Sequence, residues 1–305
     1  NYGRLWRQFI KDGKQLLWMS ERDNWNHLYL YDVQKSKVIR QITKGEWFVR
    51  GIQRVDEEKG EIYFSASGVN KNEDPYLVHY YKIGIDGKNM VALTPEEGNH
   101  SAQYTYDYRY LLDTYSKVDA APVTVLRDAQ TGKLVKTLET ADIATLKKHG
   151  WVAPEVFVAK GRDGKTDMWG IIQRPTNFDP NKKYPVIEYI YSGPGDAYTP
   201  KSFMPYNWYI TSLAELGFIV VQLDAMGTSY RGKKFEEVCY KNLKDAGFPD
   251  RELWIKAAAK KYPYMDADNV AIYGCSAGGQ ESTTAVLLHG DFYKAAYSAC
   301  GCHDN

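Results

Sequence analysis

No apolar stretch in this 305-residue chain approaches the roughly 18 residues that a membrane-crossing helix needs. Neither sign of charge is in excess: 39 Lys and Arg face 38 Asp and Glu, a formal net charge of +1. That balance gives no support for a nucleic-acid or polyanion binder. Cysteine is sparse. Cys239, Cys275, Cys300 and Cys302 lack the spacing of a metal site and read as buried thiols, so no metal is expected. The N-terminus, Asn1, carries no Met, no basic segment and no apolar leader core. The expectation is therefore a removed signal or a piece of something longer.

Aromatic residues are plentiful, with 25 Tyr and 8 Trp, and they suit β-rich architecture. The first half repeats. Strand-like runs at 14–20, 27–33 and 37–43 are followed by 60–67, 77–85 and 87–94, and then by 108–115, 122–129 and 133–139. Tight turns such as Asp86-Gly87 and Thr131-Gly132 separate the last two runs of a unit. A period of roughly 45–50 residues lies in the range of propeller blades. Three such units would be part of a propeller; a β-sandwich or meander is the alternative.

The pattern changes near residue 141. A short helical linker (141–150) and a hairpin (155–175) lead into strands at 186–191, 218–224, 269–275 and 293–301. Helices are predicted at 207–217, 250–263 and 278–290. Strand and helix alternate, which predicts an α/β unit with a mainly parallel sheet. In such sheets functional groups gather beyond the carboxyl ends of the strands.

Ser276 is predicted to sit there, in Gly274-Cys275-Ser276-Ala277-Gly278 between a strand and a helix. This pattern is a nucleophile elbow: small neighbours permit a cramped turn that presents the hydroxyl. The Ala277 amide, opening the helix, is placed to donate to a developing oxyanion. The competing role for Ser276 is a helix N-cap. A serine nucleophile needs a base and an orienting carboxylate, which follow it in this architecture. Only His289 and His303, with Asp291 and Asp304, come after Ser276. His289 reads as a helix C-terminal cation and His303 leaves no room for further strands. The triad Asp and His are thus expected beyond Asn305, and the 305 residues alone are expected to be inactive.

Taken together these stretches resemble the prolyl oligopeptidase family of serine peptidases, nearest its dipeptidyl peptidase IV branch. The residues carrying the resemblance are 20–52, "YPVIEYIYSGPG" (184–195), "LDAMGTSYRGKKFEE" (223–237) and "GCSAGG" (274–279). It implies the last blades of a β-propeller over 1–145, followed over 146–305 by the first part of an α/β-hydrolase domain. It implies an exopeptidase working on peptides through an acyl-enzyme on Ser276, with Tyr191 as a second oxyanion donor and no cofactor. Tyr191 as a strand-end ring that merely packs is the other possibility. A homodimer and a periplasmic or secreted location follow from the resemblance only.

Three departures qualify it. Met226 stands where the family usually has Arg, which would remove a salt-bridged buttress. Ala277 and Gln280 replace tyrosines beside the nucleophile, which weakens the expectation of strict post-proline cleavage and leaves acyl-peptide hydrolase, esterase and non-catalytic scaffold roles as alternatives. The paired glutamates that bind a substrate amino terminus have no match here: the family's pair sits on earlier propeller sequence, expected before Asn1, so Glu57-Glu58 and Glu96-Glu97 read as solvated faces in blade turns.

Overall fold

A computed structural model describes residues 5–303. The chain divides into two compact units, Asn1–Ala141 with Tyr230–Lys234, and Asp142–Ser229 with Phe235–Asn305.

The first unit is three antiparallel four-stranded sheets, each formed from consecutive strands. They comprise β1 (Arg7–Ile10), β2 (Gln15–Ser20), β3 (His27–Asp32) and β4 (Lys37–Gln41); β5 (Phe48–Asp56), β6 (Glu61–Ser67), β7 (Val78–Gly84) and β8 (Val91–Ala92); β9 (Asn99–Tyr104), β10 (Tyr110–Lys117), β11 (Ala120–Asp128) and β12 (Leu134–Thr140). A lone four-stranded sheet cannot bury both faces, so the sheets stack. Leu17, Leu28 and Leu30 of the first share one core with Val49, Ile62, Phe64 and Tyr81 of the second. Tyr63 of the second meets Leu111 and Ala129 of the third.

The turn between the last two strands of a sheet touches the sheet before it. Gly132, at φ +73°, lies so close to the Ala92 and Leu93 backbone that a Cβ would stand 2.5 Å from the Ala92 carbonyl oxygen. Gly87, at φ +79°, approaches Ile42 in the same way. Glycine at both turns answers both demands, left-handed backbone and close approach.

Between the second and third sheets lies a buried polar cluster. Asp113 accepts from His100 Nδ1 (2.8 Å) and Arg127 Nε (2.9 Å). Arg127 also donates to the Gly132 carbonyl and to Glu96. The His79 ring lies 4.7 Å from that of His100, inclined by 45°, and holds its Nε2 2.8 Å from Glu73 Oε1. Glu96 is therefore a partner of a buried cation rather than a solvated turn residue, and Glu97 pairs with Lys117.

The second unit follows α1 (Ala144–Lys148). It holds a six-stranded mixed sheet built from β13 (Glu155–Lys160), β14 (Asp167–Gln173), β15 (Tyr184–Tyr189), β16 (Ile219–Asp224), β17 (Met265–Cys275) and β18 (Tyr293–Ala299), in the order β13-β14-β16-β15-β17-β18. The four strands from β16 to β18 pair in parallel, and the β13–β14 hairpin joins antiparallel to β16. The helices are α2 (Thr211–Glu215), α3 (Lys233–Glu236), α4 (Phe248–Lys261) and α5 (Ala277–Leu288). β16 is buried at all six residues, as expected for an interior parallel strand covered on both faces. Trp254, Ile255 and Ala258 of α4 and Ala285 of α5 pack on Val186, Val221, Val270 and Ile272.

The predicted helix at 207–217 contracts to Thr211–Glu215, because Asn207–Ile210 form a turn in which the Asn207 carbonyl accepts from Ile210 and Thr211. Three of the four cysteines are exposed, contrary to expectation, and only Cys239 is buried. Cys275 flanks the elbow, Cys300 and Cys302 follow β18, and β18 is largely exposed. Among the described residues no helix is long and apolar enough to cross a membrane.

Candidate active site

β17 ends at Cys275 and α5 begins at Ala277, so Ser276 alone makes the turn. Its backbone sits at φ 57°, ψ −120°, a sparsely populated region for a residue with a Cβ. The turn can be this sharp because Gly274 and Gly278, two residues to either side, have no side chains. A Cβ on Gly274 would fall 2.4 Å from the Ile190 carbonyl oxygen, and one on Gly278 would fall 2.1 Å from the same atom. The elbow is pressed against the end of β15, at Ile190 and Tyr191. On its other side the Ser276 N–H donates to the Ala299 carbonyl of β18 (2.9 Å).

Ser276 is exposed, and its side chain makes no capping hydrogen bond to α5. An N-cap role is thereby removed, since that role consists of such a bond. The first intrahelical bond runs from Gln280 N–H to the Ser276 carbonyl (3.1 Å). The Ala277 N–H is therefore one of the donors that a helix start leaves without an intrahelical partner.

Tyr191 lies two residues past the end of β15 rather than within the strand. Its half-buried ring packs 4.7 Å from that of Tyr198. Asp224 holds the neighbouring loop by accepting from the Tyr198 N–H (2.7 Å) and Thr199 N–H (3.1 Å). A cavity of about 650 Å³ opens beside Tyr191, lined also by Tyr189, Tyr198, Tyr209 and Gln222.

The Met226 segment keeps a salt-bridged buttress despite its missing Arg. Asp250 accepts from the Met226 N–H (3.1 Å) and is paired with Arg162 (2.8 Å), which also donates to the Ala246 carbonyl. The guanidinium comes from the β13–β14 hairpin instead of from position 226.

The later histidines do not join Ser276. His289 caps the far end of α5, about 20 Å from its start at 1.5 Å per residue. It is held by Glu252 (Nδ1–Oε1 2.9 Å) and Asp245 (Nε2–Oδ1 2.6 Å), so its partners are side chains as well as the helix terminus. His303 is exposed, with its ring against Gly301, and Asp291 is also exposed. Asp304 lies outside the described residues. Among the described residues no group of three or more His, Cys, Asp or Glu could hold a metal ion.

Beneath the elbow lies a set of buried polar residues that the sequence reading passed over. Arg251 of α4 donates to Glu188 of β15, and Tyr293 of β18 donates to the other Glu188 oxygen (2.7 Å). Glu281 of α5 accepts from the hydroxyl of Ser192. Burial raises the Glu281 carboxyl to about 7, Arg251 and Ser192 pull it down, and Glu188 pushes it up. Strand parity carries a signal for Glu188, which shares a face with Val186 and Ile190. Helical spacing does the same for Glu281, between buried Gly278 and Ala285.

Residues 5–122 match the dipeptidyl peptidase IV (DPP IV) N-terminal region, and residues 204–305 match the prolyl oligopeptidase family. Dipeptidyl peptidase 4 of Trichophyton rubrum is 32% identical over 270 residues, 86% of this chain and 34% of that protein. Dipeptidyl peptidase 4 of Arthroderma otae is 30% identical over 268 residues, with the same coverage. The chain thus spans about a third of the length of the curated relatives it matches. Porphyromonas gingivalis dipeptidyl peptidase 4 superposes with a TM-score of 0.80 at 26% identity, over 97% of this chain and 40% of that one. A Bacteroides ovatus protein described as a candidate dipeptidyl aminopeptidase IV gives 0.81 at 28% identity, over 96% and 43%.

Proposed function

The chain belongs to the prolyl oligopeptidase family, and from that premise we propose that it carries the nucleophile and oxyanion site of a dipeptidyl peptidase IV-like serine exopeptidase. The three stacked sheets are read as propeller blades and the second unit as part of an α/β-hydrolase domain. The observation that carries the proposal is the Ser276 turn: an exposed hydroxyl on strained backbone, unused as a cap, wedged against the strand end that bears Tyr191.

In this reading Ser276 Oγ attacks the scissile carbonyl and gives up its proton to a histidine base. The carbonyl oxygen becomes an oxyanion that accepts from the Ala277 N–H and the Tyr191 hydroxyl. Collapse of the intermediate releases the amine and leaves the acyl group on Ser276, which water then removes. Loss of one such oxyanion donor costs about 2.7–4 kcal/mol of barrier in comparable sites. Neither His289 nor His303 is assigned as the base, because the first is committed to Glu252 and Asp245 and the second has no carboxylate behind it among the described residues. By the same argument the 305 residues alone are expected to show no turnover.

The tyrosine-lined cavity beside Tyr191 is a place for a substrate side chain. A second reading, an acyl-peptide hydrolase or esterase, draws on Ala277 and Gln280, which bring no aromatic wall to the nucleophile. A homodimer and a periplasmic or secreted location belong to the proposal through the family alone.

The test uses the protein isolated from its source. A fluorophosphonate should add one probe, located at Ser276 by peptide mass, and Ser276→Ala should abolish both labelling and cleavage of free-amino X-Pro or X-Ala anilides. Persistent cleavage by the variant would remove Ser276 from the mechanism. Preference for N-acylated peptides or simple esters would favour the second reading.

A further inference from the structure

We infer that Glu281 is a positioning residue for the proposed hydrolysis, fixing the distance between the nucleophile's helix and the strand end that supplies the Tyr191 hydroxyl. The inference rests on the functional reading of Ser276 and Tyr191 given above.

Two contacts tie those elements together. One is backbone against backbone, Gly278 on Ile190. The other is the Glu281–Ser192 hydrogen bond. Ser192 directly follows Tyr191, and Glu281 lies five residues after Ser276, in the second turn of α5. Both residues are buried, at 7% and 6% exposure. Any displacement of α5 that moves Ser276 relative to Tyr191 must stretch this bond or carry Ser192 with it.

The surroundings argue against a passive filler. Arg251 is the single cation set among two carboxyl groups, Glu188 and Glu281, with the Tyr293 hydroxyl and Ser192 completing the site. Arg251 bonds Glu188 through Nη1, while its Nε and Nη2 and the Glu281 Oε2 have no hydrogen-bond partner among the described residues. An apolar residue at 281 would avoid leaving a buried carboxyl oxygen unsatisfied, an arrangement that is costly in itself. The carboxyl also changes its hydrogen bonding with protonation. Ionised, it only accepts from Ser192; protonated, it can donate. Its raised pKa, about 7, puts that change near neutral pH, so the spacing it sets is open to pH.

A double-mutant cycle on the native protein tests this. Tyr191→Phe should lower kcat by about 10²–10³-fold in the wild-type background, the range for loss of one oxyanion donor. In a Glu281→Met background, which removes the hydrogen bond while filling the space, the same change should cost less than about tenfold. Glu281→Met alone should lower kcat with KM within about twofold, and Glu281→Gln, which keeps an acceptor for Ser192, should recover most of kcat. Equal Tyr191→Phe effects in the two backgrounds, with both proteins folded by thermal melt, would overturn the inference. If Glu281→Met does not fold, Ser192→Ala removes the same bond from the other side and is read in the same way. An unlabelled Ser276 or a neutral Tyr191→Phe in the wild type would instead reject the functional reading, and the positioning role with it.

Discussion

Two arginines, Arg127 and Arg251, are each 1% exposed and each pairs with a fully buried carboxylate, yet they are satisfied very differently. Arg127 uses Nε, Nη1 and Nη2, on Asp113, the Gly132 carbonyl and Glu96. Both Asp113 oxygens are taken as well. Arg251 places Nη1 on Glu188 and leaves Nε and Nη2 without hydrogen-bond partners among the described residues, beside a second carboxyl that holds its proton up to about pH 7. Burial and residue type are matched, so the difference lies in completeness. A closed network ties two sheets together. An open one beneath the elbow keeps a group whose charge can change.

The sharpest break in this comparison would come from Arg127→Met. It strands Asp113 in the interior, and removal of one partner of a buried pair costs about 3–5 kcal/mol. Urea unfolding followed by tryptophan fluorescence measures it. A loss below about 1 kcal/mol would show that the closed network contributes no more than an exposed pair does.

Next in size is the pH response of Glu281. Its folded pKa of about 7 lies above the ordinary 4.5. Its contribution is therefore fully present below pH 4.5 and is lost as pH rises through 7, because the unfolded chain releases the proton first. At 1.36 kcal/mol per pKa unit the loss is about 3 kcal/mol. Glu281→Gln should abolish that slope, so the variant gains on wild type by that amount between pH 4.5 and 8. Parallel stability curves would contradict the open-network description.

Arg251→Met should cost less than Arg127→Met, roughly half, because Glu281 can stay protonated and Glu188 keeps Tyr293. The deficit should deepen at pH 8, where two carboxylates would face each other. Equal losses for the two arginine variants would erase the distinction.

The smallest effect belongs to His79, which lies beside the Arg127 network and meets Glu73 as an ion pair. Burial opposes its charge, but the Glu73 carboxylate and the Thr94 carbonyl outweigh burial, and Asp113 adds to them, so its pKa is raised. Its stabilisation is complete below the unfolded value of about 6.5 and disappears as pH climbs through the folded one. His79→Asn should flatten this region's stability between pH 6 and 8.

The three-sheet layout was legible from turns and spacing, but one strand per sheet was not. β1, β5 and β9 all open their sheets, and all three escaped. β9 reads Asn-His-Ser-Ala-Gln-Tyr, whose buried His100 finds its partners in Asp113 and the Glu96 backbone, beyond the reach of any apolar count. β5 has two register shifts against β6, which scramble its alternation. At the site, the sharp turn at Ser276 was legible because such a turn demands small residues at fixed offsets, whereas Tyr191 entered only through the family resemblance. Arg162 was not, since it reaches Asp250 from 88 residues away. Three cysteines were misjudged because they end or follow strands whose ends are open to solvent.

Ser276 holds a backbone conformation that glycine would adopt with less strain, and such strain is worth on the order of 1–3 kcal/mol. Ser276→Gly should therefore yield a sturdier molecule that, under the proposed function, has nothing left to attack a carbonyl. Under selection for thermal endurance alone, residue 276 is where this chain would first trade its chemistry for comfort. Under the proposed function, a serine at this turn exchanges rigidity for reactivity.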